Sequence, residues 1–396
     1  MRVLAEMDVS RDTTDEELWA LIDQAIAQQT RMCPSLRMRE AAREQVFHAL
    51  RGLDVLQELV EDPQITEIMV NGYQNIFYEK NGQLLQWDKQ FSSREKLEDV
   101  IQSIVAAGNR MVNEASPIVD TRLRDGSRVN IVLAPIAIDG SVITIRKFPA
   151  HPMQMKDLLT LGSLSQEMAD DLERLVRAGY NIFVSGGTGS GKTTFLNALS
   201  GYIPQSERVV TIEDAAELQL EGIKNLVRLE TRAANLENVS EISIRQLIRT
   251  ALRMRPDRIL VGECRGAEAL DMLQAMNTGH DGSLSTGHAN SCRDMLRRLE
   301  TMVLMGMELP VSAIRAQIAS GINVLIHLGR LRDRTRKVLD IAEMDGVEQG
   351  EIRLHSLYHF VETGDQNGRI TGIWQRQGEL LHREKLAAAG LEEACA

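Results

Sequence analysis

An eight-residue stretch near the middle of the chain constrains the possible folds more than any other feature. Gly186 to Thr193 reads GGTGSGKT and fits the pattern GxxxxGK(S/T) of a phosphate-binding loop, or P-loop. The apolar run NIFVS precedes it, and it opens the predicted helix TTFLNALS. In such a strand-loop-helix unit, backbone N–H groups and the positive end of the helix converge on phosphate oxygens. The stretch therefore predicts a nucleotide-binding domain.

The residue types within the loop predict which ligands it holds. The predicted phosphate-binding residues are Gly186, Gly187, Thr188, Gly189, Ser190, Gly191, Lys192 and Thr193. In P-loop proteins the lysine reaches the β and γ phosphates, and the following hydroxyl is a ligand of Mg²⁺. ATP and Mg²⁺ are therefore the predicted cofactors, with Lys192 in a catalytic role and Thr193 as a metal ligand. The alternative is a glycine-rich turn with an incidental lysine, which the flanking strand and helix disfavour.

The sequence around this loop alternates between predicted strands and helices. Strands are expected at 181–185, 208–212 and 258–261, and helices at 165–178, from 191 and near 243–253. Alternation of this kind is typical of βαβ units in a mostly parallel sheet with helices on both faces. We therefore predict an α/β P-loop domain at residues 161–330.

The region before this domain has a different pattern. Apolar residues at helical spacing predict a helical segment at 1–60, which is either a packing element or a partner-docking element. Short β-rich runs follow, with hairpin signals at Asn81-Gly82, Asp125-Gly126 and Asp139-Gly140. One helix, expected to start at Ser92, interrupts them. These signals predict an α+β domain at 61–150.

Two further segments complete the predicted organisation. Prolines at 149 and 152 favour an extended linker, assigned to 151–160. The polar, glycine-rich sequence at 331–396 has weak strand signals and is predicted to be a C-terminal appendage.

Acidic residues end two of the predicted strands. The strand RILVG delivers Glu263, which we predict to support Mg²⁺ and the attacking water. The strand RVVTI ends at Glu213, our predicted catalytic carboxylate, because hydrolysis needs a group that orients or deprotonates water. The alternative for Glu213 is a solvated acid that caps the next helix.

Histidines and arginines supply further candidate site residues. His280 and His288 flank a short polar strand and are predicted to sense the γ-phosphate or to orient the strand, the alternative being structural histidines. A metal site of two histidines without nearby cysteines is disfavoured. Arginines of the first domain, notably Arg128 and Arg146, are candidates for neutralising charge on the γ-phosphate, although most surface arginines only interact with solvent.

The composition restricts the classes of function. With 43% hydrophobic and 26% charged residues, the chain has the composition of a globular protein. No run approaches the roughly 20 apolar residues of a membrane span and no signal peptide is recognisable, so we expect a cytoplasmic protein. A net charge of −11 disfavours nucleic-acid binding. The four cysteines form no CxxC pair and are expected to be reduced thiols.

Four strings occur together and in a characteristic order: GGTGSGKTT, TIEDAAEL, RPDRILVGECRG and TGHDGSLSTGHAN. In this the chain resembles the type II/IV secretion ATPase superfamily, over about residues 50–336. The resemblance is strongest to the branch that drives tight-adherence (Flp, type IVc) pilus assembly, the CpaF/TadA kind. The absence of a cysteine tetrad distinguishes the chain from secretory-pathway ATPases with a zinc module.

The resemblance implies a RecA-like ATPase domain, a homo-hexameric ring with nucleotide between the two domains, and an inner-membrane platform protein as partner. It adds Thr194 to the phosphate-binding residues and Arg232 to Arg128 and Arg146 as phosphate-contacting arginines. It implies catalysis by Glu213, Mg²⁺ and water support by Glu263, and sensing by His280 and His288. Location would be peripheral, at the cytoplasmic face of the inner membrane, with membrane association only through partners.

Three alternatives stay open at the level of sequence. The ATPase of a conjugative or effector-translocating type IV secretion system would use the same chemistry for a different cargo. A DNA-dependent motor is disfavoured by the acidic charge and by the lack of a basic stripe with aromatic residues. A non-catalytic nucleotide-binding scaffold would require Glu213 or Glu263 to be structural.

Overall fold

The computed structural model of the chain describes residues 14–29, 36–80, 82–108, 110–148, 152–232, 240–366 and 368–391. The chain divides into two compact units, Met1–Ala150 and His151–Ala396, and each is described by itself below. Asn81 of the first hairpin signal, residue 151 of the predicted linker with the two residues before it, and two of the cysteines, Cys33 and Cys395, lie outside the described residues. The other two, Cys264 and Cys292, are buried free thiols.

The first unit begins with two paired helices, α1 (Asp15–Gln29) and α2 (Leu36–Arg51). Leu18 and Ile22, four residues apart on one face of α1, are buried between the helices. The rings of Trp19 and Phe47 stack with their centroids 4.0 Å apart. This apolar face explains why the segment folds as a helical pair.

The rest of the first unit is an antiparallel sheet with one covering helix. Within the described residues its strands are β1 (Ile65–Asn71), β2 (Asn75–Lys80), β3 (Gln83–Gln86), β4 (Ile118–Arg122), β5 (Arg128–Val132) and β6 (Val142–Arg146), in the order β3-β2-β1-β6-β5-β4. A 3₁₀ turn (Asp54–Leu56) and the short helix α3 (Gln57–Glu61) precede them. As predicted, Gly126 and Gly140 lie in the turns that flank β5, with φ of +90° and +115°.

The covering helix, α4 (Arg94–Ala107), buries Leu97, Ile101 and Ile104 against the sheet. Its predicted start at Ser92 is wrong by one residue. Ser93 has the extended backbone of an N-cap, and its side chain accepts a hydrogen bond from the Lys96 N–H.

The second unit is built on one large sheet. Within the described residues its strands are β7 (Ile182–Gly186), β8 (Arg208–Glu213), β9 (Asn225–Glu230), β10 (Arg258–Val261), β11 (Leu284–His288), β12 (Val324–Arg330), β13 (Arg336–Glu348), β14 (Glu351–Gln366) and β15 (Arg369–Arg376). Their order is β15-β14-β13-β12-β7-β11-β10-β8-β9. The strands from β12 to β9 in this order are parallel, as predicted, and β13, β14 and β15 are antiparallel to their neighbours.

Helices cover both faces of this sheet. They are α5 (Met155–Thr160), α6 (Gln166–Arg177), α7 (Lys192–Ser200), α8 (Ile244–Ala251), α9 (Glu268–Asn277), α10 (Cys292–Gly306), α11 (Val311–Gly321) and the short α12 (Glu384–Ala388). Successive residues of β7 enter different cores: Ile182 and Val184 pack into one and Phe183 into the other. A strand buried on both faces has to be apolar throughout, which explains the run NIFVS.

Two predicted segment boundaries are wrong. The second half of the predicted linker is helix α5, whose Met155 and Leu158 are buried in the core of the second unit. The residues after Arg330 are not an appendage, because β13 pairs with β12 and extends the same sheet. The end of the chain also packs there, where Glu343 on β13 accepts hydrogen bonds from the backbone N–H groups of Leu381 (2.6 Å) and His382 (2.8 Å).

A buried asparagine fixes the amino end of the central strands. The Asn181 amide donates to the backbone carbonyls of Met276 (3.3 Å) and Gly321 (2.7 Å), and its carbonyl oxygen accepts from the Ser283 N–H at 3.0 Å. This amide joins the start of β7 to the segments that lead into β11 and β12. The carboxyl ends of the same strands carry the candidate site.

Within the described ranges, no single helix has the length and apolar composition to cross a bilayer. The helices Cys292–Gly306 and Val311–Gly321, bent by 118° at their break, meet that test only when they are taken together.

Candidate nucleotide-binding site

The predicted P-loop connects β7 to α7. Gly189 and Gly191 have φ of +71° and +93°, a left-handed conformation that side chains other than hydrogen adopt only with strain. Gly186 has no room for a side chain, because a Cβ there would lie 2.6 Å from the Leu328 carbonyl oxygen. The turn is therefore possible only with glycine at these positions, and it leaves the loop tip at 187–189 exposed.

Lys192 begins α7 and folds back over the loop. Its side chain is only 8% exposed, and its Nζ donates a hydrogen bond to the Gly187 carbonyl at 3.2 Å. Nζ also lies 3.3 Å from Nδ1 of His288. The Oγ of Ser190 is buried and has no hydrogen-bond partner in the described part of the chain. Since such groups are normally satisfied, this hydroxyl fits a loop whose remaining partner is a ligand.

His288 lies between Lys192 and Glu263, the acid that follows β10. Because β11 pairs with β7 in parallel register, His288 lies opposite Gly186 at the carboxyl end of the sheet. Its Nε2 is 2.8 Å from Oε1 of Glu263. Burial, and next the Lys192 charge, lower the pKa of His288, although Glu263 opposes them. Nζ of Lys192 also lies 3.5 Å from this Nε2, and Oε1 of Glu263 has no hydrogen-bond partner in the described part of the chain, so His288 is in close contact with Glu263 without an aligned hydrogen bond.

Arg265 donates hydrogen bonds to the other carboxylate oxygen of Glu263. Its Nε and Nη2 donate to Oε2 of Glu263 at 2.9 and 2.7 Å, and its Nη1 lies 3.7 Å from Oδ2 of Asp214. The contacts thus run from Lys192 through His288, Glu263 and Arg265 to Asp214. Paired charge-assisted hydrogen bonds of this kind fix the direction of a carboxylate more strictly than one bond does.

Glu213 ends β8 beside this chain of contacts. Its side chain is 3% exposed, so it is not a solvated acid. Its Oε2 accepts from the backbone N–H groups of Glu217 (2.8 Å) and Leu218 (2.9 Å), whereas Oε1 has no hydrogen-bond partner among the described residues. Burial raises the pKa of Glu213 to about 7, against the opposing effect of the two N–H donors. A carboxylate with this pKa and a free oxygen can accept a proton near neutral pH.

A glycine on the neighbouring strand makes room for this carboxylate. A Cβ on Gly262 would lie 2.9 Å from Cγ of Glu213. The sequence LVGE therefore has glycine before Glu263 for a steric reason, which pattern analysis did not detect.

His280 does not reach the site. It precedes β11 at the amino end of the strand, opposite to the end that holds the P-loop, and its Nδ1 lies 3.3 Å from the Ala275 carbonyl oxygen. The structure does not bring His280 beside His288 within this chain, because a strand separates the two histidines. The prediction that His280 senses phosphate or orients the strand therefore stays a prediction.

Arg232 lines a cavity next to the site. The cavity has a volume of about 560 Å³, and its lining includes Asp214, Arg232, Arg245, Arg265 and Glu268. The Nη2 of Arg232 donates to the Ser240 carbonyl oxygen at 3.3 Å. Arg232 is therefore near the Asp214 end of the contact chain, and its contact with phosphate stays a prediction.

The two arginines predicted in the first unit, Arg128 and Arg146, lie with Arg122 in a row across its sheet. Arg122 on β4 lies opposite Arg128 on β5, which lies opposite Arg146 on β6. Glu67 on β1 continues the row beside Arg146. The register thus concentrates positive charge on three adjacent strands, which is the charge expected of an anion-binding surface.

The sequence patterns did not predict three arginines near the site, one close in sequence to a predicted residue and two far from it. Arg265 follows Glu263 by two positions in the string GECRG, a spacing that places side chains on one side of extended chain. Arg330 and Arg336 approach the P-loop from more than a hundred residues away, and no local pattern indicates that contact.

Comparisons with known proteins agree with this architecture. The family model described as "Type II/IV secretion system protein" matches residues 49–372. A Mycobacterium tuberculosis protein named for conjugal transfer is 34% identical over 316 residues, which cover 78% of this chain and 89% of that protein. The type IV secretion system protein PtlH of Bordetella pertussis is 36% identical over 342 residues, covering 78% of this chain and 99% of PtlH.

The solved structure of the Legionella pneumophila ATPase DotB matches with a TM-score of 0.51 at 24% identity, over 72% of this chain and 78% of that one. The shared fold confirms the predicted α/β class. With the family model matching most of its length, the chain belongs to the type II/IV secretion system protein family.

Proposed function

We propose that this protein is an ATP-hydrolysing, homo-hexameric motor that powers assembly or retraction of a tight-adherence (Flp, type IVc) pilus. The observation that carries the ATPase part is the contact chain from Lys192 through His288 to Glu263, next to a buried Glu213 with one free oxygen. The pilus part rests on the four sequence strings described above.

In the proposed mechanism the loop amides and Lys192 bind the phosphates of ATP. Glu213 orients the attacking water and accepts its proton on Oε1, the oxygen without a partner in the described part of the chain. Arg265 fixes one oxygen of Glu263 by two hydrogen bonds, and His288 lies against the other oxygen. These groups are fixed by the strands that carry them, so little reorganisation is needed at the reacting centre.

Mg²⁺ is part of the proposal. In phosphate sites it takes one or two protein oxygens and completes its shell with phosphates and water. Thr193 in the first turn of α7 and Glu263 at the end of β10 are the proposed oxygen donors. When bound, the ion neutralises charge on the phosphate oxygens. No group of three or more potential metal ligands occurs among the described residues.

The arginines and partners follow from the motor hypothesis. Arg128, Arg146 and Arg232 are proposed to contact the nucleotide phosphates, within one chain or between copies in the hexamer. The platform partner is proposed to be an inner-membrane protein, which would hold the motor at the cytoplasmic face of that membrane. No nucleic acid is proposed as a partner, in line with the net charge of −11.

The enzymatic part is tested by measuring phosphate release with Mg²⁺ across a series of protein concentrations. We expect turnover per chain to rise with concentration, because neighbouring copies complete the site, and to disappear in Lys192→Ala. Lys224→Ala, at an exposed position of the same unit, is the matched control and should match the wild type. Hydrolysis that persists in Lys192→Ala would contradict the proposal.

A second candidate is the motor of a type IV secretion system, which the identity to PtlH favours. Introducing Lys192→Ala into the native gene separates the two. Loss of surface pili with intact protein export supports the pilus motor. Loss of protein export or of DNA transfer with intact pili supports the second candidate.

A further inference from the structure

A hairpin far along the chain brings two arginines to the P-loop. Strands β12 and β13 form this hairpin, and Arg330 and Arg336 are directly opposite each other in its ladder. The Nε of Arg336 donates a hydrogen bond to the Gly189 carbonyl oxygen at 2.8 Å, and its Cδ lies 3.3 Å from the position of a Cβ on Gly191. The Nη1 of Arg330 lies 3.8 Å from the position of a Cβ on Gly189.

These two guanidinium groups have uncompensated charge. No carboxylate in the described ranges lies within ion-pair distance of either one, whereas Arg332, in the turn between them, pairs with Glu362 at 2.5 Å. Like charges that face each other across an antiparallel ladder repel. The contact with Gly189 uses only Nε of Arg336, so the terminal nitrogens of that side chain have no hydrogen-bond partner among the described residues.

The position of the pair relative to the sheet indicates what it binds. In the sheet, β7 lies between β11, which carries His288, and β12, which carries Arg330. The P-loop is therefore flanked by His288 on one side and by the two arginines on the other. Planar guanidinium groups with several free N–H donors match the geometry of phosphate oxygens.

We propose that Arg330 and Arg336 form a phosphate-binding pair that contacts the phosphate tail of the nucleotide from the β12 side of the P-loop, within the same chain. The inference rests on the proposed function, since it requires a nucleotide in the loop. The bound phosphates relieve the repulsion between the two arginines. Nucleotide binding is thereby coupled to the hairpin and to the strands that follow it.

The test is calorimetric titration of the full-length protein with ADP. The variants are Arg330→Ala/Arg336→Ala together, Arg336→Lys, and the control Arg332→Ala, which removes one charge from the same hairpin but from a paired arginine. We expect the double variant to bind ADP at least about tenfold more weakly, since charge-assisted hydrogen bonds to phosphate are lost. Arg336→Lys should lose part of the affinity, and Arg332→Ala should bind like the wild type.

A melting curve without nucleotide separates a ligand-binding role from a structural one. The double variant should melt at or above the wild-type temperature, because it removes a repulsive pair. A melting temperature clearly below that of Arg332→Ala would overturn the inference and make the arginines structural.

The two proposals fail in different ways. If the wild type binds and hydrolyses nucleotide and the double variant binds ADP equally well, only the inference about the arginine pair is wrong. If the wild type and Lys192→Ala both fail to bind ADP, the proposed function is wrong and the inference falls with it.

Discussion

Glu213 and Glu343 lie on strands of the same sheet, and both side chains are almost completely buried, 3% and 1% exposed. They differ in how their oxygens are satisfied. Both oxygens of Glu343 accept hydrogen bonds from the last segment of the chain, including one of 2.9 Å from Nδ1 of His382. Glu213 has donors on one oxygen only. Burial alone therefore does not separate the two glutamates, and the unsatisfied oxygen of Glu213 is the reason for proposing that it is catalytic.

The strongest test of this difference is Glu213→Gln. The amide cannot accept the proton of the attacking water, so we expect kcat for ATP hydrolysis to fall by about 10²- to 10⁴-fold. ADP affinity should stay near the wild-type value. Steady-state phosphate release and calorimetry measure the two quantities, with the exposed Glu308→Gln as the matched control. Normal turnover in Glu213→Gln would remove the distinction between the two glutamates.

The corresponding change at Glu343 should affect stability. In Glu343→Gln one oxygen acceptor becomes an NH₂ group that faces N–H donors, so we expect the free energy of unfolding to fall by about 2–3 kcal/mol. Urea unfolding measures this loss. Glu348→Gln, on the same strand but exposed, should change stability by less than about 1 kcal/mol. Equal stability of the two variants would show that the last segment is not anchored by Glu343.

The pH dependence of stability sharpens the comparison. Burial raises the pKa of Glu213 from its ordinary value of 4.5 to about 7, so the folded protein holds this proton more tightly than the unfolded chain does. Between these values the unfolded chain loses the proton first, so the stability contributed by the protonated side chain declines as pH rises from 4.5 to about 7 and levels off above it. The stability of Glu213→Gln does not decline in this way, because a glutamine side chain has no proton to lose in this pH range.

We therefore expect the stability of Glu213→Gln relative to the wild type to increase from pH 5 to pH 8. Urea unfolding at several pH values measures it. Glu308→Gln should show no such trend, and a flat difference for Glu213→Gln would contradict the raised pKa.

The smallest effect is expected for substitutions of the two histidines at opposite ends of β11. His288→Ala removes the contact between Lys192 and Glu263, and we expect kcat to fall about tenfold, in the range of a lost positioning hydrogen bond. His280→Ala, at the opposite end of the strand, should leave kcat within about twofold of the wild type. Phosphate release under saturating ATP measures both. An equal fall in kcat for the two variants would show that His280 contributes to the site as much as His288 does.

The sequence was sufficient to predict the elements that carry the strongest local patterns. β7, β8 and β10 lie within a residue of their predicted bounds, because buried parallel strands are continuous apolar runs. The P-loop was predictable because only glycine permits its backbone. The strands after Arg330 were not, since register shifts in β12 to β15 interrupt the alternation of polar and apolar residues and much of their surface is polar.

Contacts between distant segments account for the other errors. The spacing of His280 and His288 in the sequence does not tell which end of β11 each occupies. Likewise, Arg336 reaches Gly189 across 147 positions, which no local window includes. The sequence predicts Glu213 from its residue type and position, but the room for its buried carboxylate depends on Gly262 of the neighbouring strand and is visible only in three dimensions.

The central place of β7 has a consequence for how the protein is made. Asn181, at the start of this strand, bonds to partners that follow it by 102 and 142 residues. During translation the nucleotide-binding strand is therefore synthesised long before both of its neighbours, and contacts this far apart form slowly. The sheet on both sides of the P-loop is therefore complete only after β12 has been synthesised.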